Sequence, residues 1–508
     1  MARPGLILTL FLLSLAAYAE DTVQFTAENF LMIEGRPRLI LGLYENPKDD
    51  AVLAEVAGAG FNLVCSQPDQ ASLDRLSRQG LYGWIPLGGT MSLADNDTAG
   101  REKLAAVINQ FKGHPALLAW EAPDESLWNE YYSASDWILS EQPRQLAERI
   151  GQTADPATAE RQRAELAKAV GLTQRALWPE SEAAYDALWK ELGAEQPHPE
   201  LRPTQRILAG KELGDKLTRG WEYIRELDKR HAFWQNHAPR NSVADMRYYN
   251  RAVHAAGCDI YPVPANYRTG HSDLRDMSLT SVGAYTDRMR DAAPGKACWM
   301  VLQGFGWRDI QEGAQLKDDP LAGRRPTWQE TRFMAYDSLL HGANAILYWG
   351  TAYIQKDSEL WRDILRVGRE LRALEPAIVA PKPPFEPRAQ GELNYASFDG
   401  GQPILMLRQY AGQDGATDPA PDGATDPAPD GATDPAPDGA TQWALIAVNE
   451  LDTGVAFRVS GLPPALEGRQ LYRLYSDETV TVKDGGFRDG IRGYDVHIYA
   501  TSKALQAE

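Results

Sequence analysis

A chain of 508 residues is long enough for about two or three domains, and its formal charge of −18 argues against nucleic-acid partners. Its 70 acidic side chains outnumber the 52 basic ones and would repel a phosphate backbone. The three cysteines cannot all pair within one chain and fall in or beside apolar runs, so we expect inert core thiols. The eight histidines show no ligand spacing, and the sequence therefore indicates no metal and no cofactor.

Residues 1–19 have the pattern of a secretory signal peptide. Arg3 supplies the positive start, residues 6–15 the apolar core, and residues 17–19 a small-residue cleavage site. The apolar run is short for a membrane span, and no later segment replaces it. We therefore expect an exported protein, secreted or periplasmic, without a membrane span; no feature indicates an oligomeric state.

Residues 20–376 alternate apolar, strand-like runs with amphipathic helical segments, after a strand pair in 23–36 with a Glu34-Gly35 turn. Continuously apolar strands are typical of parallel strands buried on both faces. Eight such repeats predict an α/β fold of the (β/α)8 TIM-barrel type, with a doubly wound sheet as the alternative. The predicted strands are Arg38–Glu45, Phe61–Gln67, Leu81–Leu87, Ala116–Glu121, His231–His237, Cys258–Val263, Ala297–Gln303 and Ala343–Trp349. The predicted helices are Asp50–Ala59, Ala71–Gln79, Gly100–Lys112, Leu213–Lys229, Ser242–Ala256, Thr280–Ala292, Thr327–His341 and Ser358–Leu374.

Two further segments complete the predicted organisation. Residues 126–210, after the fourth strand, form a helical insertion that either walls one side of a cleft or has no contact with substrate. Residues 377–508 have alternating β-type runs that predict an antiparallel β-sandwich. Within it, the repeat Asp-Gly-Ala-Thr-Asp-Pro-Ala-Pro offers almost nothing to bury, so we expect a disordered loop over residues 412–441.

Polar and aromatic side chains follow the predicted strands, where the loops of a barrel form its active face. Acids and amides bond sugar hydroxyls, and flat rings stack on the apolar face of a pyranose, so this set favours a carbohydrate. Asp259, by contrast, is expected to be structural. The candidates for substrate binding are Tyr44, Glu45, Glu121, Asn236, His237, Tyr261, Gln303, Trp307 and Trp349, beside the acid pair Asp124 and Glu125.

Several short motifs occur along the chain: Phe30-Leu-Met-Ile-Glu-Gly35, Ile40-Leu-Gly-Leu-Tyr44, Ala59-Gly-Phe-Asn62, His114-Pro-Ala with Trp120, and Gly342-Ala-Asn-Ala-Ile-Leu-Tyr-Trp-Gly350. In this order and spacing they resemble a glycoside hydrolase of clan A over roughly residues 23–374. The resemblance implies a (β/α)8 barrel that cleaves glycosidic bonds. In that clan the fourth strand ends in Asn-Glu, the Glu being the general acid/base, and the matching pair here is Asp124-Glu125. Glu125 thereby inherits the acid/base role, and a neighbouring carboxylate independently favours a raised pKa.

The chain departs from the clan at the seventh strand, where Gln303 stands in place of the nucleophilic Glu. An amide cannot form a glycosyl–enzyme intermediate, so three interpretations stay open. In the first, an N-acetyl group of the substrate attacks, Asp124 orients it and Glu125 protonates the leaving group. In the second, another carboxylate acts as base or nucleophile: Glu45, Asp69 or Glu121. In the third, the barrel binds glycans without cleaving them.

Overall fold

A computed structural model describes residues 22–239, 241–265, 278–310, 323–392, 401–412 and 441–507. The fold begins with an antiparallel hairpin of β1 (Leu31–Ile33) and β2 (Arg36–Arg38). Its turn uses left-handed backbone at Glu34 (φ 52°) and Gly35 (φ 75°), at the predicted position. The apolar side chains of β1 pack with the first residues of the barrel strands, so the hairpin covers the amino-terminal end of the barrel.

Eight parallel strands form a closed barrel, which confirms the predicted TIM-barrel fold. The first strand pairs with the last, so no edge is left open. The described residues contain no helix long and apolar enough to cross a lipid bilayer. In chain order the strands are β3 (Ile40–Leu43), β4 (Leu63–Cys65), β5 (Tyr82–Pro86), β6 (Leu117–Glu121), β7 (Ala232–His237), β8 (Ala255–Ile260), β9 (Ala297–Gln303) and β10 (Ala345–Trp349).

Helices cover the barrel, and Asp, Ser or Thr side chains cap several of their amino termini. The last of them, α13, is continuous to Ile378. The helices are α1 (Asp50–Gly58), α2 (Gln70–Arg78), α3 (Thr98–Phe111), α4 (Ser126–Asp136), α5 (Gln142–Gly151), α6 (Pro156–Gln174), α7 (Trp178–Glu191), α8 (Pro203–Leu227), α9 (Val243–Tyr249), α10 (Ser281–Ala292), α11 (Trp307–Ile310), α12 (Trp328–Leu340) and α13 (Glu359–Ile378).

The sixth barrel strand differs from its prediction. The predicted helix Ser242–Ala256 ends at Tyr249 in the structure, and the strand begins at Ala255 rather than Cys258. The alanine-rich sequence before Gly257 favours a helix by propensity. In the barrel, however, Gly257 lies so close to β9 that an added Cβ would be 1.4 Å from the carbonyl oxygen of Trp299. Packing against the neighbouring strand therefore overrides the local preference.

The interval between β6 and β7 is helical, from α4 to α8. Part of it has a small core of its own, contributed by Trp137, Leu146, Ala169, Tyr185, Leu188 and Trp189. Helix α8 begins at Pro203, earlier than the predicted start at Leu213, and packs along α4. Since α4 starts directly after Glu125, the insertion is attached to the end of the barrel where the strands have their carboxyl termini.

The carboxy-terminal part contains two antiparallel sheets that share an apolar core, which confirms the predicted β-sandwich. One sheet has the order β11-β14-β17 and the other β12-β13-β18-β15-β16. The predicted repeat loop over 412–441 and the predicted signal peptide lie outside the described residues, apart from positions 412 and 441. The strands are β11 (Arg388–Gly391), β12 (Ile404–Ala411), β13 (Thr441–Val448), β14 (Val455–Ser460), β15 (Gln470–Arg473), β16 (Thr479–Thr481), β17 (Phe487–Ile491) and β18 (Val496–Ala500).

Candidate active site

Four carboxyl groups lie together at the carboxyl ends of β6 and β8: Glu121, Asp124, Glu125 and Asp259. Glu125 caps α4 and has left-handed backbone, with φ 46° and ψ 32°. For a residue with a Cβ this conformation costs about 1–2 kcal/mol, and such strain is found preferentially at functional sites. Its backbone N–H donates to the carbonyl oxygen of Asn236 at 3.3 Å, which ties the acid pair to β7.

The amide of Asn236 joins two of these carboxylates. Its Nδ2 donates to Oδ1 of Asp124 at 2.8 Å and to Oδ1 of Asp259 at 2.6 Å. The Tyr261 hydroxyl donates to the other oxygen of Asp259 at 2.6 Å. Two carboxylates that share one amide nitrogen are close neighbours, so the structure brings Asn236 and Tyr261 into the cluster as hydrogen-bond donors.

The pKa of the Glu125 carboxyl is raised to about 7, first by burial and second by the negative charge of Asp124. The Asp124 residue has exposed surface, but much of its carboxyl group is surrounded by protein, and this loss of solvent raises its pKa although hydrogen bonds from Asn236 and from the backbone of Glu125 oppose the shift. Asp259 is buried, and burial followed by the charges of Asp124 and Glu125 raises its pKa well above the ordinary range. Neighbouring carboxyls with raised pKa values can hold and transfer protons at neutral pH.

Glu121 lies at the floor of this cluster rather than at its surface. It is buried, and its two oxygens accept hydrogen bonds from the Tyr44 hydroxyl at 3.2 Å and from Trp84 Nε1 at 2.8 Å. Burial and the charge of Asp124 raise the pKa of Glu121 well above its usual value. Trp84 is hidden within an apolar run, so the sequence gives no signal for this contact.

A cluster of aromatic rings packs beside the carboxyl groups, and Tyr261 and Phe305 within it are buried. Tyr261 stacks on Trp349 with centroids 5.6 Å apart and an angle of 25°, and Phe305 meets both rings edge-on. Trp349 is half-buried and continues towards Tyr353, which is 52% exposed. Trp307, a predicted substrate contact, is buried against Phe305 and packs within the aromatic cluster instead.

Two predicted ligand contacts are directed to protein partners instead. The Glu45 carboxylate pairs with Lys356 Nζ at 2.6 Å and accepts a bond from Thr351. The His237 ring is fully buried, its Nε2 is 2.8 Å from Oδ1 of Asn250, and burial lowers its pKa to about 4. Glu45 is neutralised by its ion pair, and His237 is inaccessible to a ligand. We therefore exclude both from the residues proposed to contact substrate.

Gln303 also differs from its expected role at the barrel mouth. Its Oε1 accepts from the backbone N–H of Val263 at 2.8 Å, while its Nε2 donates to the carbonyl oxygens of Val263 at 2.8 Å and of Phe305 at 3.1 Å. The side chain is fully buried. Gln303 therefore braces the loops after β8 and β9, and both of its amide hydrogens are used for this purpose.

Asp259, which was expected to be structural, lies within the carboxyl cluster. The predicted strand began at Cys258, which put Asp259 near the start of the strand. In the structure the strand begins at Ala255, so Asp259 lies near its carboxyl end, where barrel strands carry functional side chains. A correct strand start would have placed Asp259 at the same end of the barrel as Asp124 and Glu125.

The remaining second-carboxylate candidate, Asp69, has a local function. It is the N-cap of α2, and its side chain accepts from the backbone N–H of Ser72 at 2.7 Å. Together with the ion pair of Glu45 and the buried hydrogen bonds of Glu121, this contact leaves Asp124 as the accessible partner of Glu125.

No protein-family model and no curated protein matches the chain. Solved structures with a similar fold include a β-galactosidase from Bacillus circulans sp. alkalophilus, with TM-score 0.48, 10% identity and coverage of 94% of this chain and 100% of that chain. A glycoside hydrolase family 5 structure from Bacteroides vulgatus has TM-score 0.46, 11% identity and coverage of 94% and 92%. A β-galactosidase from the psychrophilic Marinomonas ef1 has TM-score 0.41, 15% identity and coverage of 66% and 60%, so this chain spans three fifths of that enzyme. At identities of 10–15% and TM-scores below 0.5, these structures have only their fold in common with this chain.

Proposed function

We propose that this protein hydrolyses a glycosidic bond in a poly- or oligosaccharide, with Glu125 as the general acid/base and Asp124 as its partner. The observation that carries the proposal is the position of Glu125 beside Asp124 and Asp259, close to the ring pair of Tyr261 and Trp349, where burial and the charge of Asp124 raise the pKa of Glu125 to about 7. A carboxyl with this pKa is substantially protonated at neutral pH and can give its proton to the leaving oxygen as the bond to the anomeric carbon breaks.

The second catalytic group is proposed on accessibility. Asp124 is exposed within the mouth, whereas both oxygens of Asp259 are occupied by Asn236 and Tyr261. In the substrate-assisted form, the carbonyl oxygen of an N-acetyl group attacks the anomeric carbon while Asp124 accepts the acetamide N–H. In the alternative form, an accessible carboxylate of the cluster attacks the anomeric carbon or activates a water molecule.

A non-catalytic glycan-binding protein is the second candidate function. It is favoured by one observation, the commitment of Gln303 to backbone hydrogen bonds at the position where the clan carries its nucleophile. The half-buried ring of Trp349, supported by Tyr261, can serve a bound glycan equally well whether or not the bond is cleaved.

The test compares the wild-type protein with Glu125→Gln on a broad panel of glycans and aryl glycosides. We expect the substitution to lower turnover of natural glycans by about 10²–10⁴-fold while glycan binding changes little. Aryl glycosides with good leaving groups need less protonation and should lose less activity. Glu45→Gln removes a carboxylate from the same rim, outside the proposed mechanism, and should keep most of the turnover.

Three outcomes separate the alternatives. Equal turnover by wild type and Glu125→Gln would remove Glu125 from the mechanism. Inhibition by a thiazoline mimic of the N-acetyl intermediate supports the substrate-assisted form, whereas activity on sugars without an acetamide supports a protein carboxylate. Binding without hydrolysis across the panel would establish the glycan-binding function instead.

We also propose that the protein is exported, to the periplasm or the medium, on the strength of residues 1–19. Export predicts a mature amino terminus close to Glu20. Amino-terminal sequencing of the protein recovered outside the cytoplasm, compared with the cytoplasmic fraction, tests this expectation.

A further inference from the structure

A second group of ionisable side chains lies far from the barrel mouth, where α12 meets the carboxy-terminal sandwich. Asp337 and His341 are four residues apart at the end of α12, which puts both on one face of the helix. Glu450 follows β13 and reaches the same point from the sandwich. His341 Nε2 is 3.2 Å from Glu450 Oε1 and 3.8 Å from Asp337 Oδ1, and all three ligand atoms lie within 4.8 Å of one another.

Asp337 carries the observation that points to a missing ligand. Its side chain is fully buried, and Oδ2 accepts the backbone N–H of Gly283 at 2.7 Å. Oδ1 has no hydrogen-bond partner among the described residues, and it is directed towards His341 Nε2. A buried carboxylate oxygen without a donor is costly, so a cation at this point would satisfy it.

The surroundings of His341 match those of a metal-ligating imidazole. Its other ring nitrogen, Nδ1, is 2.9 Å from Oδ2 of Asp287, and Oδ1 of Asp287 is 3.6 Å from Arg290. Metal-bound histidines usually donate their second N–H to such a carboxylate, which fixes the tautomer and the ring orientation. Gly283 makes the space, because a Cβ at this position would lie 2.5 Å from His341 Nε2.

We propose that Asp337, His341 and Glu450 bind a divalent transition-metal ion, with Zn²⁺ as the representative ion, and that this ion links the barrel to the carboxy-terminal sandwich. Ligands at about 2.0 Å from a tetrahedral Zn²⁺ are about 3.3 Å apart. The two distances from His341 Nε2 are 3.2 and 3.8 Å, and the ligand atoms of Asp337 and Glu450 lie within 4.8 Å of each other, so small side-chain movements would bring all three to that spacing. Three protein ligands leave a fourth position for water. The sequence hides this site because Glu450 is 109 residues from His341. It is independent of the proposed hydrolase function.

The experiment uses the full chain after dialysis against a chelator, titrated with ZnCl₂ by calorimetry and with Co²⁺ by visible absorption. We expect one ion per chain, a four-coordinate Co²⁺ spectrum, and a higher unfolding temperature with Zn²⁺. Glu450→Gln should weaken Zn²⁺ binding by about a hundredfold or more, and Asp287→Asn by about 10–100-fold. Asp477→Asn, an exposed acid of the sandwich outside the cluster, should bind like wild type.

Two results would overturn the proposal. One is the absence of stoichiometric binding to the wild-type chain, with an unfolding temperature that does not respond to Zn²⁺; His341 then keeps a proton between the carboxylates. The other is Zn²⁺ binding that survives Glu450→Gln unchanged. Circular dichroism of each variant checks that it is folded, and the Asp287→Asn variant supports or refutes the site even if Glu450→Gln fails to fold.

Discussion

The substitution Gln303→Glu would place a carboxylate where the resembled clan carries its nucleophile, and we expect it to destabilise the protein rather than to improve catalysis. The glutamine side chain makes three hydrogen bonds to the backbone of Val263 and Phe305. Glutamate keeps an acceptor for the Val263 N–H but loses both N–H donors. The ionised side chain would therefore leave two buried carbonyl oxygens without a donor, whereas the protonated form keeps one O–H that can serve one of them.

The cost can be worked out from these contacts. Each unsatisfied buried group costs about 1–3 kcal/mol, so the two carbonyls of Val263 and Phe305 together lower the free energy of unfolding by about 2–6 kcal/mol. The new carboxyl is buried and has a folded-state pKa above its unfolded value. The Gln303→Glu protein is therefore most stable below the unfolded pKa of a glutamate, about 4.3, and loses stability as the pH rises from there towards the higher folded-state pKa.

Urea unfolding of wild type and Gln303→Glu at pH 5 and pH 8 measures both effects. Gln110→Glu is the matched control, because Gln110 is exposed on α3 and its change should cost no more than about 0.5 kcal/mol. Wild-type stability of Gln303→Glu at pH 8, together with a trapped glycosyl–enzyme intermediate, would refute the assignment of Gln303 as a brace.

Three further predictions concern the barrel mouth. Asp124→Asn removes the negative charge that helps to raise the pKa of Glu125. The basic limb of the pH profile of kcat/KM should therefore move from about 7 to a value between 4.5 and 7. A limb that does not move would contradict the effect of the Asp124 charge on Glu125. Asn236→Ala removes the donor shared by Asp124 and Asp259, and turnover should fall by about 10-fold or more, with wild-type rates arguing against a positioning role. Trp349→Ala should weaken glycan binding in isothermal titration by about 0.5–1.5 kcal/mol or more through loss of ring stacking, and unchanged affinity would place the sugar elsewhere.

The architecture could be predicted because its signals are local. Barrel strands are continuously apolar, and the predicted strand Ala297–Gln303 agrees with the observed one at both ends. The sixth strand was misplaced because residues before Gly257 favour a helix locally, while a contact with Trp299 across the barrel decides the outcome. Boundaries that depend on contacts between strands are not encoded in the short window that periodicity reads.

The candidate site could be predicted only in part, for a similar reason. Asp124 and Glu125 follow directly from the end of the fourth strand, and Tyr261 and Trp349 from the ends of two others. The left-handed backbone of Glu125 and the amide that joins Asp124 to Asp259 depend on strands that are distant in the chain. Hydrogen bonds such as the one between Gln303 and Val263 join residues 40 positions apart, so they cannot be predicted before the two loops are placed next to each other.

The central claim is that Glu125 holds a proton at neutral pH. The most direct test is a titration of the side-chain carboxyl carbons by ¹³C NMR on protein labelled at glutamate, with Glu125→Gln used to assign the resonance. We predict a midpoint at about 7 for Glu125 in the wild-type protein. A midpoint near 4.5, the ordinary value for a glutamate, would contradict the account.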